Sequence, residues 1–103
     1  MAFMDDYDLE NLVNETEEFV LAELGRQLES YPGEICKCND CVCDMATLAL
    51  NQAPPKYRWT IMGHMYTESS LNDENFKKEI SRIVSQAIEK VRKNPAHTAL
   101  DTN

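Results

Sequence analysis

The sequence predicts a small, mostly α-helical domain with one short β-hairpin or extended segment and a cysteine-rich loop. Three observations predict this fold class. Apolar residues recur at steps of three and four in two long stretches, one near each end of the chain, as on one face of a helix. Aromatic and β-branched residues surround a glycine between these stretches. All four cysteines occur within residues 36–43.

The first stretch predicts a helix over about residues 7–31. Asp5, Asp6 and Asp8 suit a helix N-terminus, where anions are favoured. The sequence Tyr31-Pro32-Gly33 predicts its end. The residues that would share the buried face are Leu9, Leu12, Val13, Thr16, Val20, Leu24 and Leu28.

The middle of the chain predicts two shorter elements. A helix over about residues 41–51, capped by Asn39 or Asp40, is apolar almost all round and must therefore be buried. Residues 57–67 have aromatic and β-branched side chains on both sides of Met62-Gly63-His64, which predicts the hairpin or extended segment. Such a short ribbon is marginal alone, so it must pack on the helices.

The last stretch predicts a helix over residues 73–94, about 33 Å long, capped by Asn72 and ended by Pro95. Such a helix is long for a small chain, and its apolar stripe needs a partner. A homodimer that pairs the long helices would cover the stripe; the alternative is a monomeric bundle that buries it internally. The stripe consists of Phe76, Ile80, Ile83, Val84, Ala87, Ile88 and Val91.

Length and charge limit the classes of function. The 103 residues predict one domain over residues 1–103, with a core over about residues 7–94 and a flexible tail over residues 95–103. The net charge of −8 argues against a nucleic acid or an anionic membrane surface as partner. No apolar run reaches the roughly 20 residues of a membrane span, and the N-terminus lacks signal-peptide features. We therefore expect a cytoplasmic protein.

Cysteines in the cytoplasm are more often metal ligands than disulfides. Cys36, Cys38, Cys41 and Cys43 therefore predict a structural Zn²⁺ site, in which bound sulfurs lie roughly 3.8 Å apart. The C-x-C-x-x-C-x-C spacing differs from the usual pair of separated C-x-x-C motifs. Asp44 or a thiol of a second chain is an alternative fourth ligand. The same spacing also suits reduced thiols without metal, or a thiol-based redox or metal-buffering role.

Three of these cysteines belong to a longer run of residues that resembles a known protein family. Residues 38–57 read C-N-D-C-V-C-D-M-A-T-L-A-L-N-Q-A-P-P-K-Y, which resembles the late competence protein ComFB family. Gly63, Tyr66 and the closing N-P-A-H of residues 94–97 are compatible with it. The resemblance covers about residues 9–97. It implies a small helical homodimer with cysteine-bound zinc, a regulatory or interaction role with an unidentified protein partner, and no catalysis. It also implies a cyclic dinucleotide such as cyclic di-GMP as a ligand of some relatives.

A cyclic dinucleotide needs cations for its phosphates and planar groups for its bases. One segment interleaves both kinds of side chain, and its candidate ligand residues are Asn51, Lys56, Tyr57, Arg58, Trp59 and Tyr66. In the alternative interpretation, the aromatic residues are core residues and the cations face solvent.

The sequence contains few residues or motifs typical of an enzyme active site. His64 and His97 are the only histidines, one in a predicted turn and one in the predicted tail, and there is no glycine-rich phosphate loop. We therefore expect no catalytic residues.

Overall fold

The computed structural model describes residues 2–60, 62–63, 65, 69 and 71–95. The mostly helical fold class is confirmed. In chain order the elements are α1 (Ala2–Asp5), a 3₁₀ turn (Leu9–Asn11), β1 (Val13–Asn14), α2 (Glu15–Glu29), α3 (Asn39–Gln52), β2 (Tyr57–Arg58) and α4 (Glu74–Lys93).

The core lies where α2, α3 and α4 pack against one another. It is apolar, and its largest fully buried side chains include Val20 from α2, Met45 from α3 and Ile80 from α4. The stripe of α4 from Ile80 to Val91 is buried within this one chain. The predicted stripe is therefore confirmed, but α2 and α3 already cover it, and pairing of two long helices is not needed to bury it.

The first helix begins later than the sequence predicted. Residues 7–13 lie outside α2, and Leu12 and Val13 are exposed rather than part of its buried face. Asn14 caps α2, because its Oδ1 accepts a hydrogen bond from the Thr16 N–H at 3.2 Å. Val13 and Asn14 instead form β1, which pairs antiparallel with β2. The long-range strand pairing overrides the local helical spacing.

The two-stranded sheet also differs from the predicted hairpin. Tyr57 pairs with Asn14 and Arg58 pairs with Val13, so β2 joins the start of α2 rather than the residues after Gly63. Met62, Gly63 and Met65 have helical backbone. The predictions for His64, Tyr66, His97 and the tail beyond Pro95 lie outside the described residues.

The remaining helix ends shift by one or two residues. Cys38, rather than Asn39 or Asp40, caps α3, and Asp73, rather than Asn72, caps α4. Met45 and Ala49 of α3 are buried as expected, whereas Leu48 is only half-buried. Within the described ranges, none of the helices combines the length and apolar character needed to cross a membrane.

Candidate metal centre

Three thiols meet at the start of α3. The Sγ atoms of Cys36, Cys38 and Cys41 all lie within 4.8 Å of one another. Cys36 and Cys38 come from the exposed loop before the helix, whereas Cys41 is 1% exposed and belongs to the apolar core. The cluster therefore connects a surface loop to the interior of the molecule.

The local fold of this cluster depends on the helix cap. Cys38 has extended backbone and occupies the capping position, where its Sγ accepts a hydrogen bond from the Cys41 N–H at 3.4 Å. A cap residue and the residue three positions later lie on the same side of the first turn. Because Cys41 points into the core, this geometry brings Cys38 to the edge of the core.

The electrostatics of the cluster favour the thiolate. The Cys41 N–H lowers the pKa of the Cys38 thiol, and a hydrogen bond with Cys36 lowers it further. The N-terminus of α3 adds a favourable dipole. Thiolate is the form of cysteine that binds metal. Separations within 4.8 Å are close to the roughly 3.8 Å between sulfurs around Zn²⁺. Three soft sulfur donors thus fit a zinc ion with small adjustments.

Cys43, the fourth predicted ligand, lies outside this cluster. It follows Cys41 by two helical positions, a rotation of about 200°, and its exposed thiol donates to Asn39 Oδ1 at 3.7 Å. Among the described residues, the cluster includes neither Cys43 nor Asp44. A cavity of about 190 Å³ lies beside Cys36 and Cys41, with Glu34 in its wall. The structure therefore gathers three of the four predicted cysteines and leaves space next to them.

The candidate dinucleotide residues divide between two sides of β2. Tyr57 and Trp59 are exposed, which argues against the alternative that they belong to the core. Arg58, between them, forms an ion pair with Glu15. Lys56 Nζ lies 4.8 Å from the centroid of the Phe76 ring. Side chains alternate sides along an extended strand, so Tyr57 and Arg58 of β2 point to opposite sides. Both cations contact protein side chains, whereas both aromatic rings are exposed. Asn51 is exposed on the last turn of α3, and Tyr66 lies outside the described residues.

The contacts between residues 14–16 and residues 54–58 form what we call the polar junction. Besides the Glu15–Arg58 pair, Thr16 Oγ1 donates to the Pro54 carbonyl at 2.8 Å. The Lys56 N–H donates to Asn14 Oδ1 at 2.8 Å, and the Glu15 N–H donates to the Lys56 carbonyl at 2.9 Å. Sequence reasoning missed this role of Glu15. The signal was an acidic side chain directly after an Asn capable of capping.

The fold and the cluster define a small helical protein with a cysteine site suited to a metal ion. The family model described as late competence development protein ComFB matches residues 13–95. This chain therefore belongs to the ComFB family, as the sequence resemblance predicted.

The similarity to one solved structure agrees with this family assignment. The chain is similar to the late competence protein ComFB from Bacillus subtilis, with a TM-score of 0.62 and 27% sequence identity. The similarity covers 88% of this chain and 99% of that chain. No similar protein was found among the curated proteins.

Proposed function

We propose that this chain is a non-catalytic regulatory protein of the ComFB family that acts as a zinc-bound homodimer through interactions with other molecules. The observation that carries the proposal is the cluster of Cys36, Cys38 and Cys41 sulfurs at the start of α3. Bound zinc supplies a fixed link between these sulfurs. We expect a structural role in which a fourth ligand in the space beside the three sulfurs closes the shell and leaves no position for a reacting water.

The position of Cys41 explains what such a link achieves. Residues 34–38 form a loop without regular structure, and Cys36 and Cys38 are exposed. Cys41 is held in the core by α3. A metal shared by the three sulfurs fixes the loop against the helix bundle, and metal binding of this kind contributes on the order of 10 kcal/mol to folding.

The first experiment measures metal content and thermal unfolding of the purified full chain and of two variants. We expect one zinc per chain, and a lower unfolding temperature after treatment with a chelator. Cys38→Ser should lose most of the zinc. Cys43→Ser is the matched control, because it makes the same sulfur-to-oxygen replacement five residues away. This variant should keep the zinc. Equal loss in both variants would favour four-thiolate coordination, and a wild-type chain without metal would contradict the proposal.

The homodimer needs a face other than the α4 stripe. Val42, Ala46 and Leu50 recur every four residues on α3 and are only half-buried in the single chain. A second copy that covers this face would bury apolar surface that one chain leaves accessible. Sedimentation equilibrium tests this: we expect a mass of twice 11.8 kDa, reduced to the monomer mass by Ala46→Glu.

A cyclic dinucleotide is the second candidate ligand, favoured by the exposed rings of Tyr57 and Trp59. Aromatic faces of this kind stack on purine bases. Calorimetric titration of the zinc-loaded chain with cyclic di-GMP tests it, with Tyr57→Ala and Arg58→Ala as paired variants. Because Arg58 is engaged by Glu15, we expect the tyrosine variant to weaken binding more. Absence of both heat and a ligand-dependent rise in unfolding temperature with the wild-type dimer would contradict the receptor role.

A thiol-based redox role competes with the zinc proposal for the same cysteines. It is favoured only by the lowered pKa of the Cys38 thiol. A thiol count before and after mild oxidant separates the two roles. A zinc-bound cluster should retain its thiols, whereas a redox protein should lose two of them reversibly.

A further inference from the structure

An open groove of about 530 Å³ lies between the N-terminal segment and Trp59, directly after β2. Its apolar lining consists of Phe3, Tyr7, Leu9, Leu12 and Trp59. Asp6 and Asp8 belong to the same lining. We propose that this groove docks a cationic amphipathic segment of another protein. The proposal is independent of the zinc site and goes beyond the function proposed above.

The apolar character of the groove is the first argument. Phe3, Tyr7, Leu12 and Trp59 are all exposed, with Trp59 at 54%. The rings of Phe3 and Tyr7 lie 5.0 Å apart, close enough to form one surface. Large apolar side chains that gather on a surface mark interaction sites more often than single scattered ones. The groove therefore offers exposed apolar side chains against which an apolar side chain of a partner can pack.

Charge determines which partner fits. Asp6 and Asp8 line the groove and Asp5 precedes them, and residues 1–34 carry ten acidic side chains against one basic side chain. In the part of the chain that the structure describes, no lysine or arginine forms an ion pair with Asp6 or Asp8. Aromatic faces also attract Lys and Arg. A segment with basic residues beside apolar ones complements both features.

The same charges disfavour other occupants. Phosphate groups of a nucleic acid, an anionic membrane or a cyclic dinucleotide would be repelled by the carboxylates. A cyclic dinucleotide would therefore stack on Tyr57, which lies outside the groove lining, rather than on Trp59. The basic amphipathic helix of a second copy, α4, already buries its apolar stripe against its own α2 and α3 and does not offer it to the groove. Residues 3–12 also precede residue 13, where the match to the family model begins. The groove is thus built largely by residues outside the matched part of the chain.

The experiment uses three fluorescein-labelled 14-residue probe peptides with the full chain. One has Lys and Leu at helical spacing, one has Glu and Leu at the same spacing, and one has Lys and Ser. We expect only the Lys/Leu peptide to bind tightly, measured by anisotropy. Trp59 is the single tryptophan, so its emission should shift to shorter wavelength on saturation. Binding should weaken with added salt, because exposed charges are screened.

Matched variants separate the groove from the general acidity of the chain. Asp6→Asn/Asp8→Asn should weaken Lys/Leu binding at least tenfold. Glu17→Gln/Glu18→Gln removes the same charge from exposed positions of α2 and should change it less than twofold. Trp59→Ala should also weaken binding, and Met62→Ala, at an exposed side chain outside the groove lining, should not. Circular dichroism shows whether each variant retains its helices.

Three results would overturn the proposal. Equal weakening by the two charge variants would show that the peptide binds through nonspecific attraction to the acidic chain. Saturation without a change in Trp59 emission would place the peptide elsewhere. An emission shift that depends on protein concentration, without any peptide, would show that a second copy occupies the groove.

Discussion

The helical core and the polar junction stabilise the same chain in different ways. The core buries many apolar side chains, each of which contacts several others, so its stabilisation is shared and does not depend on direction. The polar junction uses a few hydrogen bonds and one ion pair, each between two partners 38 to 43 residues apart. The comparison indicates that the core supplies most of the stability, whereas the junction fixes where β2 lies.

The largest expected effect is in the core. Met45 is fully buried at the middle of α3, so Met45→Ala removes contacts and leaves a cavity. We expect a loss of about 2–5 kcal/mol in the free energy of unfolding, measured by urea denaturation. Leu21→Ala, at an exposed position of α2, is the control and should cost less than about 1 kcal/mol. Similar costs for both would contradict the proposed division between core and surface.

A smaller effect is expected at the polar junction. Arg58→Gln removes the arginine that pairs with the Glu15 side chain, which is 9% exposed. Loss of one partner of a fully buried pair costs about 3–5 kcal/mol. Because the Arg58 side chain is 30% exposed, we expect about 2 kcal/mol.

A double-mutant cycle with Glu15→Gln measures this coupling directly. Arg82→Gln is the control, because its pair with Glu79 is exposed on both sides, and it should cost less than about 0.5 kcal/mol. A coupling near zero for Glu15 and Arg58 would show that the hydrogen bonds of Asn14, Thr16 and the Glu15 backbone hold the junction without the ion pair.

The smallest effect concerns pH. The Arg26 side chain, then Gln27 and Ser81, lowers the pKa of Glu23 from 4.5 to about 2, against the opposing effect of burial. Since the folded pKa is the lower one, this stabilisation is present above about pH 4.5 and is lost as the pH falls toward 2. Arg26 is 64% exposed, so we expect less than about 1 kcal/mol.

Urea unfolding at pH 5.5 and pH 3 checks this prediction. Glu23→Gln should reduce the difference in stability between the two pH values, whereas Glu17→Gln, a matched change on the same helix, should leave it nearly unchanged. A difference that is identical in wild type and Glu23→Gln would assign the acid sensitivity to other carboxylates.

The sequence predicted α4 well and the start of α2 poorly. The α4 stripe is long, regular and bounded by residues that cap or terminate helices, so local information suffices. Leu9, Leu12 and Val13 continue the spacing of α2, yet Asn14 and the pairing of β1 with β2 end the helix before them. That pairing joins residues more than 40 positions apart, and local spacing contains no signal for it.

The candidate metal site was predictable in composition but not in full geometry. The spacing indicated that local thiols converge, and three of them do. Cys41 and Cys43 are two helical positions apart, so a rotation of about 200° separates their side chains. The predicted helix over residues 41–51 already contained both cysteines. The four-thiolate prediction rested on their closeness in sequence and did not apply this rotation.

Because Cys41 is buried, the rate at which its thiol is alkylated reports local opening of the helix bundle. In chelator-treated protein, a maleimide can reach Cys36, Cys38 and Cys43 at the surface, whereas Cys41 lies on the core-facing side of α3 at 1% exposure. Alkylation of this fourth sulfur must wait until the helix lifts away from its neighbours. Mass spectrometry separates chains with three labels from chains with four. The delay between them would give the rate of this opening from the native cysteines alone.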